Sequence, residues 1–122
     1  MPKLKVLTKE DIVAVSDITI EEVKVPEWGG IICLKEMNGL GRDTFEKTVS
    51  ARTGKSEAFD ITGLRTLLLS LVICDAEGNL LFTEADVEAL NKKSAKVTSR
   101  LFVQAQKMNN IGDEALEQAA KN

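Results

Sequence analysis

Three groups of residues in this 122-residue chain are of types that could do chemistry. Gly54-Lys55-Ser56 has the ending of a phosphate-cradling P-loop, in which backbone N–H groups and a lysine hold a nucleotide's phosphates. The full motif needs a glycine five residues before Gly54, where the chain has Val49, and a strand in front, where the pattern reads as helix. Asp75-x-Glu77-x-Asn79, with Asp86 at the far end, spaces oxygen ligands as a calcium-binding loop does. That loop bends at a glycine in its sixth position, occupied here by Leu80, and its last ligand is a bidentate glutamate where Asp86 is one methylene shorter. Gly78 and Asn79 match turn chemistry instead. Cys33 and Cys74 lie inside apolar runs and read as buried small hydrophobes, with a disulfide left open. The chain has no histidine, so the commonest general base and metal ligand is missing. A chain that is not an enzyme, with no catalytic, cofactor or metal residues to assign, is therefore expected.

The elements that would position any site follow from composition and period. At this length one domain, 1–122, with one modest core is expected. Hydrophobic residues at 43% and charged residues at 29% place the chain among globular proteins. With four Phe, one Trp and no Tyr, the core must rest on Leu, Ile, Val and Ala, which favours helix packing. Net charge is −3 and the basic residues are interleaved with acids, so nucleic acid is a poor candidate partner. No apolar signal core follows Met1, and the run Leu67 to Cys74 is too short to span a bilayer. A soluble, intracellular protein is expected.

Thr8 and Asp11 form a capping box ahead of a short helix with Ile12, Val13 and Val15. Ile18 to Val25 and Ile31 to Lys35 read as two strands joined by the turn Pro26-Glu27-Trp28-Gly29-Gly30, giving a β-hairpin over 20–35. Region 42–109 reads as helical. Phe45 and Val49 mark a first helix over Arg42 to Ala51, and Arg52 to Glu57 reads as a loop. Asp60 would cap a central helix from Ile61 through Cys74. Asp75 to Asn79 is a turn, Thr83 with Asp86 opens another helix, and Ser94 caps the last one, which Asn109-Asn110 and Gly112 end. Segment 113–122 is good helix-forming sequence with little apolar surface and is expected to be mobile in isolation. The fold class is α+β, predominantly α-helical with an N-terminal β-hairpin.

Two surfaces are candidates for binding a partner. One is the helix face carrying Val97, Leu101, Phe102 and Met108, of which Val97 and Leu101 serve equally well as core. The other is the hairpin around Trp28. This residue reads first as a lid over the hairpin, yet Trp is also the type most enriched among interface hot spots. Trp28, Phe102 and Met108 are the partner-binding candidates.

Several segments, in order and spacing, resemble one family. They are Val25-Pro26-Glu27-Trp28-Gly29-Gly30, Asp75-x-x-Gly78-Asn79-x-x-Phe82-Thr83, Asp86-Val87-x-x-Leu90 with Ser94, and Leu101 and Met108 before Asn109-x-x-Gly112. Together they resemble tail assembly chaperones of lambda-like bacteriophages with long non-contractile tails (siphoviruses and related prophages), over most of the chain from about Val23 onward. The resemblance implies binding to the tape measure protein, a long helical polypeptide, which is kept soluble until tail tube subunits polymerise around it. It implies action in the host cytoplasm, absence from the mature virion, homo-oligomers, and a longer frameshifted form that recruits the tail tube protein. This chain would correspond to the short form. The competing expectation is a structural virion component such as a tail completion or head–tail joining protein.

Overall fold

The computed structural model describes residues 4–53 and 63–112. Gly54-Lys55-Ser56, the Asp60 cap, most of the expected Arg52–Glu57 loop and segment 113–122 lie outside the described residues.

The hairpin forms as its β-branched alternation requires. β1 (Ile20–Val25) pairs antiparallel with β2 (Gly30–Lys35), in a register that places Val23 opposite Ile32 and Val25 opposite Gly30. The connection is one 3-10 turn over Pro26–Trp28, with proline in its first turn where a missing N–H costs nothing. Gly29 closes it at φ 78°, donating its N–H to the Pro26 carbonyl at 3.0 Å. That left-handed backbone is where glycine carries no Cβ penalty.

Before the sheet stands α1 (Lys9–Ala14), started by the expected capping box. The Asp11 N–H donates to Thr8 Oγ1 at 3.2 Å, and the Thr8 N–H donates to Asp11 Oδ2 at 3.0 Å. These bonds hold the Asp11 carboxyl below its ordinary value, the Thr8 backbone N–H being the largest cause. None of the residues of α1 is buried.

After the hairpin, α2 (Gly39–Thr53) begins three residues earlier than its apolar spacing indicates, because Asn38 Oδ1 accepts from the Gly41 N–H at 2.8 Å and caps the helix. It buries Phe45 and Val49. Val49 thus sits in a helix, where a phosphate loop would need glycine after a strand.

The expected long central helix is where the structure departs most from the sequence reading. α3 runs only over Leu64–Ser70, and Ile73–Cys74 form β3, which pairs with β2. The Leu71 N–H and Val72 N–H bond back to Leu68 O and Leu69 O, at 3.0 and 3.2 Å, which closes the helix. The Lys35 N–H then donates to Val72 O at 2.9 Å, so the free edge of β2 takes over the backbone groups. The β-branched pair Val72-Ile73 suits that exchange. Among the described residues of 42–109, this strand and the turns that follow it interrupt the expected helical run. The sheet order is β1-β2-β3, and the hairpin alone accounts for only two of its strands.

Beyond β3 the chain turns through Asp75–Asn79, with Gly78 at φ 90°, and forms a bridge between Cys74 and Leu80. A short 3-10 turn over Glu84–Asp86 leads into α4 (Val87–Asn91), which buries Leu90. Thr83 donates to Asp86 Oδ2 from both its N–H and its hydroxyl, at 3.0 Å each. α5 (Ala95–Met108) starts at Ser94, whose side chain accepts from the Val97 N–H. It ends with Asn110 at φ 53° and with the Ile111 and Asn110 N–H groups bonded to Gln106 O and Lys107 O. This is the two-bond left-handed termination that asparagine tolerates.

The core lies between α3 and α5, with the inner face of the sheet closing one side. Val25, Leu34, Phe45, Val49, Leu68 and Leu101 are each at most 1% exposed. The buried hydroxyls of Thr66, Ser70 and Thr98 bond to their own helix carbonyls, and Thr66 also reaches Asn91 Oδ1 at 2.6 Å. Among the described residues no buried side-chain polar atom lacks a partner.

Candidate client-binding surface

α5 organises the surface. Val97, Leu101 and Ala105 fall on one stripe at helical spacing and are buried against α3 and the sheet. Met108 continues that stripe at its exposed end, whereas Phe102 lies about 100° round the helix from Leu101. Both are half-buried and packed against the core. Trp28 is half-buried too, folded onto the same core from the 3-10 turn. The lid reading thus describes most of the Trp28 side chain, and part of it reaches solvent. The structure does not gather Trp28, Phe102 and Met108 into one stripe. Phe102 and Met108 are about 9 Å apart along the axis of α5.

An ion pair ties the hairpin to α5. The Arg100 guanidinium donates two bonds to the Glu27 carboxylate, at 2.8 and 2.9 Å, and Gln104 Nε2 donates to Glu21 at 2.7 Å. The Arg100 bonds hold the Glu27 carboxyl well down, from the ordinary 4.5 to about 2. A depressed carboxylate stabilises the fold fully above its ordinary value and loses that contribution as pH falls towards the folded one. Melting curves of the Glu27→Gln variant are therefore expected to be less stable than wild type at pH 7, with the difference closing between about pH 4.5 and pH 2. Because both side chains are over 40% exposed, the effect is modest and fades with added salt. A difference that persists unchanged at pH 2 would contradict it.

At the far end of α5, Asn109 joins three elements. Its Oδ1 accepts from the Met37 N–H at 2.7 Å, its Nδ2 donates to Ala105 O at 3.0 Å, and its carbonyl accepts from Arg42 Nη1 at 3.1 Å. The sequence marks Asn109 only as a helix terminator, since nothing local distinguishes a cap from a junction. Beside it an open groove of ≈ 370 Å³ is lined by Val103, Gln106, Lys107, Asn110, Ile111 and Gly112.

The calcium-like segment is a turn. Asp75 Oδ1 accepts from the Glu77 and Asn79 N–H groups, at 2.9 Å each, and Oδ2 accepts from Asn79 Nδ2 at 3.2 Å. Backbone donation from Asn79, the largest cause, holds the Asp75 carboxyl below its ordinary value. The Asp86 carboxyl is lowered in the same way by Thr83. Among the described residues no group of three or more His, Cys, Asp or Glu could hold a metal ion. No helix there is long and apolar enough to cross a membrane.

Six exposed apolar side chains lie on a segment to which the sequence assigns no role. Leu4, Val6, Leu7, Ile12, Val13 and Val15 are between 53% and 96% exposed on the segment that carries α1. The outer face of the hairpin adds Ile31, and Leu81 follows the Cys74–Leu80 bridge. Apolar side chains left in solvent are surface that a partner can cover. The available signal was α1 itself: a capped helix with apolar residues and a length too short to bury them by itself.

Comparison with known proteins agrees with this geometry. The family model described as phage tail assembly chaperone matches residues 9–122. Among solved structures, the tail assembly chaperone of bacteriophage HK97 has the same fold, with a TM-score of 0.58 and 23% identity, over 85% of this chain and 95% of that one. No curated protein sequence matches the chain. With a family match over nearly the whole chain on a fold of the same kind, the chain belongs to the phage tail assembly chaperones.

Proposed function

We propose that this protein binds the tape measure protein of its phage, keeps that long helical polypeptide soluble in the host cytoplasm, and leaves before the virion matures. The action is binding without catalysis. The observation that carries this reading is the exposed apolar set Leu4, Val6, Leu7, Ile12, Val13 and Val15 on a domain whose other large apolar side chains are mostly covered. An amphipathic helical client offers apolar anchors at helical spacing, and a chaperone must offer apolar surface in return. The solvent-facing parts of Trp28, on the hairpin turn, and of Phe102 and Met108, on α5, offer further apolar contact. Many copies on one long client, associating with one another, gain avidity that no single contact supplies. A longer frameshifted form would add the tail tube protein as a second partner.

Particle composition tests this against a structural virion component. Mass spectrometry of purified virions and of infected-cell lysate should find the chain in the lysate and not in the particle. A stoichiometric amount in mature particles would instead assign it to the tail structure.

A further inference from the structure

Cys33 and Cys74 are 41 residues apart in sequence, yet directly opposite each other across β2 and β3. Their neighbours Leu34 and Ile73, also opposed, are buried in the core. Strand alternation therefore sends both cysteine side chains to the other face of the sheet, on the same side as each other. The Lys35–Val72 bond two positions along makes Cys33 and Cys74 a hydrogen-bonded pair by alternation. Such pairs hold their Cα atoms about 5.5 Å apart, inside the range of roughly 4.4–6.8 Å that disulfides span. Cys74 Sγ lies 3.7 Å from Cys33 O, so the buried thiol already leans across the ladder. Both thiols are free, Cys33 half-exposed and Cys74 buried.

We propose that Cys33 and Cys74 form a thiol-modification site, a cross-strand dithiol that low-molecular-weight disulfides convert to an intramolecular disulfide. The half-exposed Cys33 thiolate attacks one sulfur of the oxidant, forming a mixed disulfide and expelling one small thiolate. The Cys74 thiolate then attacks the Cys33 sulfur, forming the Cys33–Cys74 bond and expelling the second small thiolate. Two protein thiols are oxidised, one small disulfide is reduced to two thiols, and the protons lost by the cysteines pass to the released thiolates or to solvent. Burial pushes the Cys74 thiol above its ordinary value, with Cys33 beside it adding to the rise, which suits Cys74 to the second, intramolecular step, where proximity replaces reactivity. The product would staple the two-residue strand β3 to β2, the thinnest pairing in the sheet.

The test is incubation of the folded full-length chain with oxidised glutathione, followed by quenching, intact mass and non-reducing peptide mapping. The expected wild-type product has no free thiol, carries no glutathione, is two hydrogens lighter, and shows one Cys33–Cys74 crosslinked peptide. Its melting temperature should rise by about 10 °C, since the crosslink closes a long loop of the unfolded chain. Cys74→Ala should stop at a single glutathione adduct on Cys33, and Cys33→Ala should remain unmodified while folded. The mapping on wild type stands even if a variant folds poorly. A stable glutathione adduct, a disulfide-linked dimer, or two thiols persisting in the folded wild type would overturn the proposal.

Discussion

Leu101→Ala should destabilise the protein by about 2–5 kcal/mol, as truncation of a fully buried leucine does in a core that only partly relaxes around the cavity. Leu101 is 0% exposed and sits at the middle of the α5 stripe, where α3 packs. Domains of this kind carry a total stability of only about 5–15 kcal/mol, so the loss is a large fraction of the whole. The comparison is Val103→Ala on the same helix, at a position 47% exposed, where a change within roughly 0.5 kcal/mol is expected. Urea unfolding of both variants measures the contrast. Equal losses would mean that α5 does not bury the Val97, Leu101 and Ala105 face.

The second large effect is on binding. Replacing Leu7, Ile12 and Val13 together by serine should weaken tape measure binding by about tenfold or more while leaving the melting temperature of the domain unchanged. Each side chain is more than half exposed and none belongs to the buried core, so the folded domain loses little packing. Full burial of one such side chain against a partner is worth about 1.5–3 kcal/mol, of which ordering costs return a part. Thr8 and Asp11 are untouched, so the capping box remains. Affinity measured with a client segment, alongside a melting curve, separates the two quantities. Unchanged affinity would remove this segment from the client surface and leave Trp28, Phe102 and Met108 as its candidates. A lowered melting temperature would mean that α1 packs on the domain.

The parts of the fold that were legible in the sequence are those decided by local chemistry. Thr8-x-x-Asp11, Ser94, Asp75–Asn79 and Asn109-Asn110 each satisfy nearby backbone groups, so their residue types suffice to place them. The hairpin was legible for the same reason, through Pro26 and Gly29 at its turn. β3 was not, because a two-residue strand has no period. Ile73 and Cys74 continue an apolar run, and only the open edge of β2, distant in sequence, converts them from helix to strand. The candidate surface divided along similar lines. Helical spacing identified the α5 stripe, but whether Val97 and Leu101 faced the core or a partner depended on where α3 lay. Phe102 and Met108 share a helix without sharing a face, which the angle of about 100° per residue does show once the core stripe is known. For Ile12 and Val13 the sequence shows apolar residues on a short capped helix but not whether they are covered, since an unpaired apolar face reads the same as a paired one.

Chaperoning of the tape measure protein is tested most directly by co-expressing this chain with the tape measure protein of its own phage. Soluble tape measure protein, and its co-purification with the chain, would then be measured against expression of the client by itself. A marked rise in soluble client and a stable complex are expected. A well-folded chain that neither raises client solubility nor co-purifies with it would contradict the account.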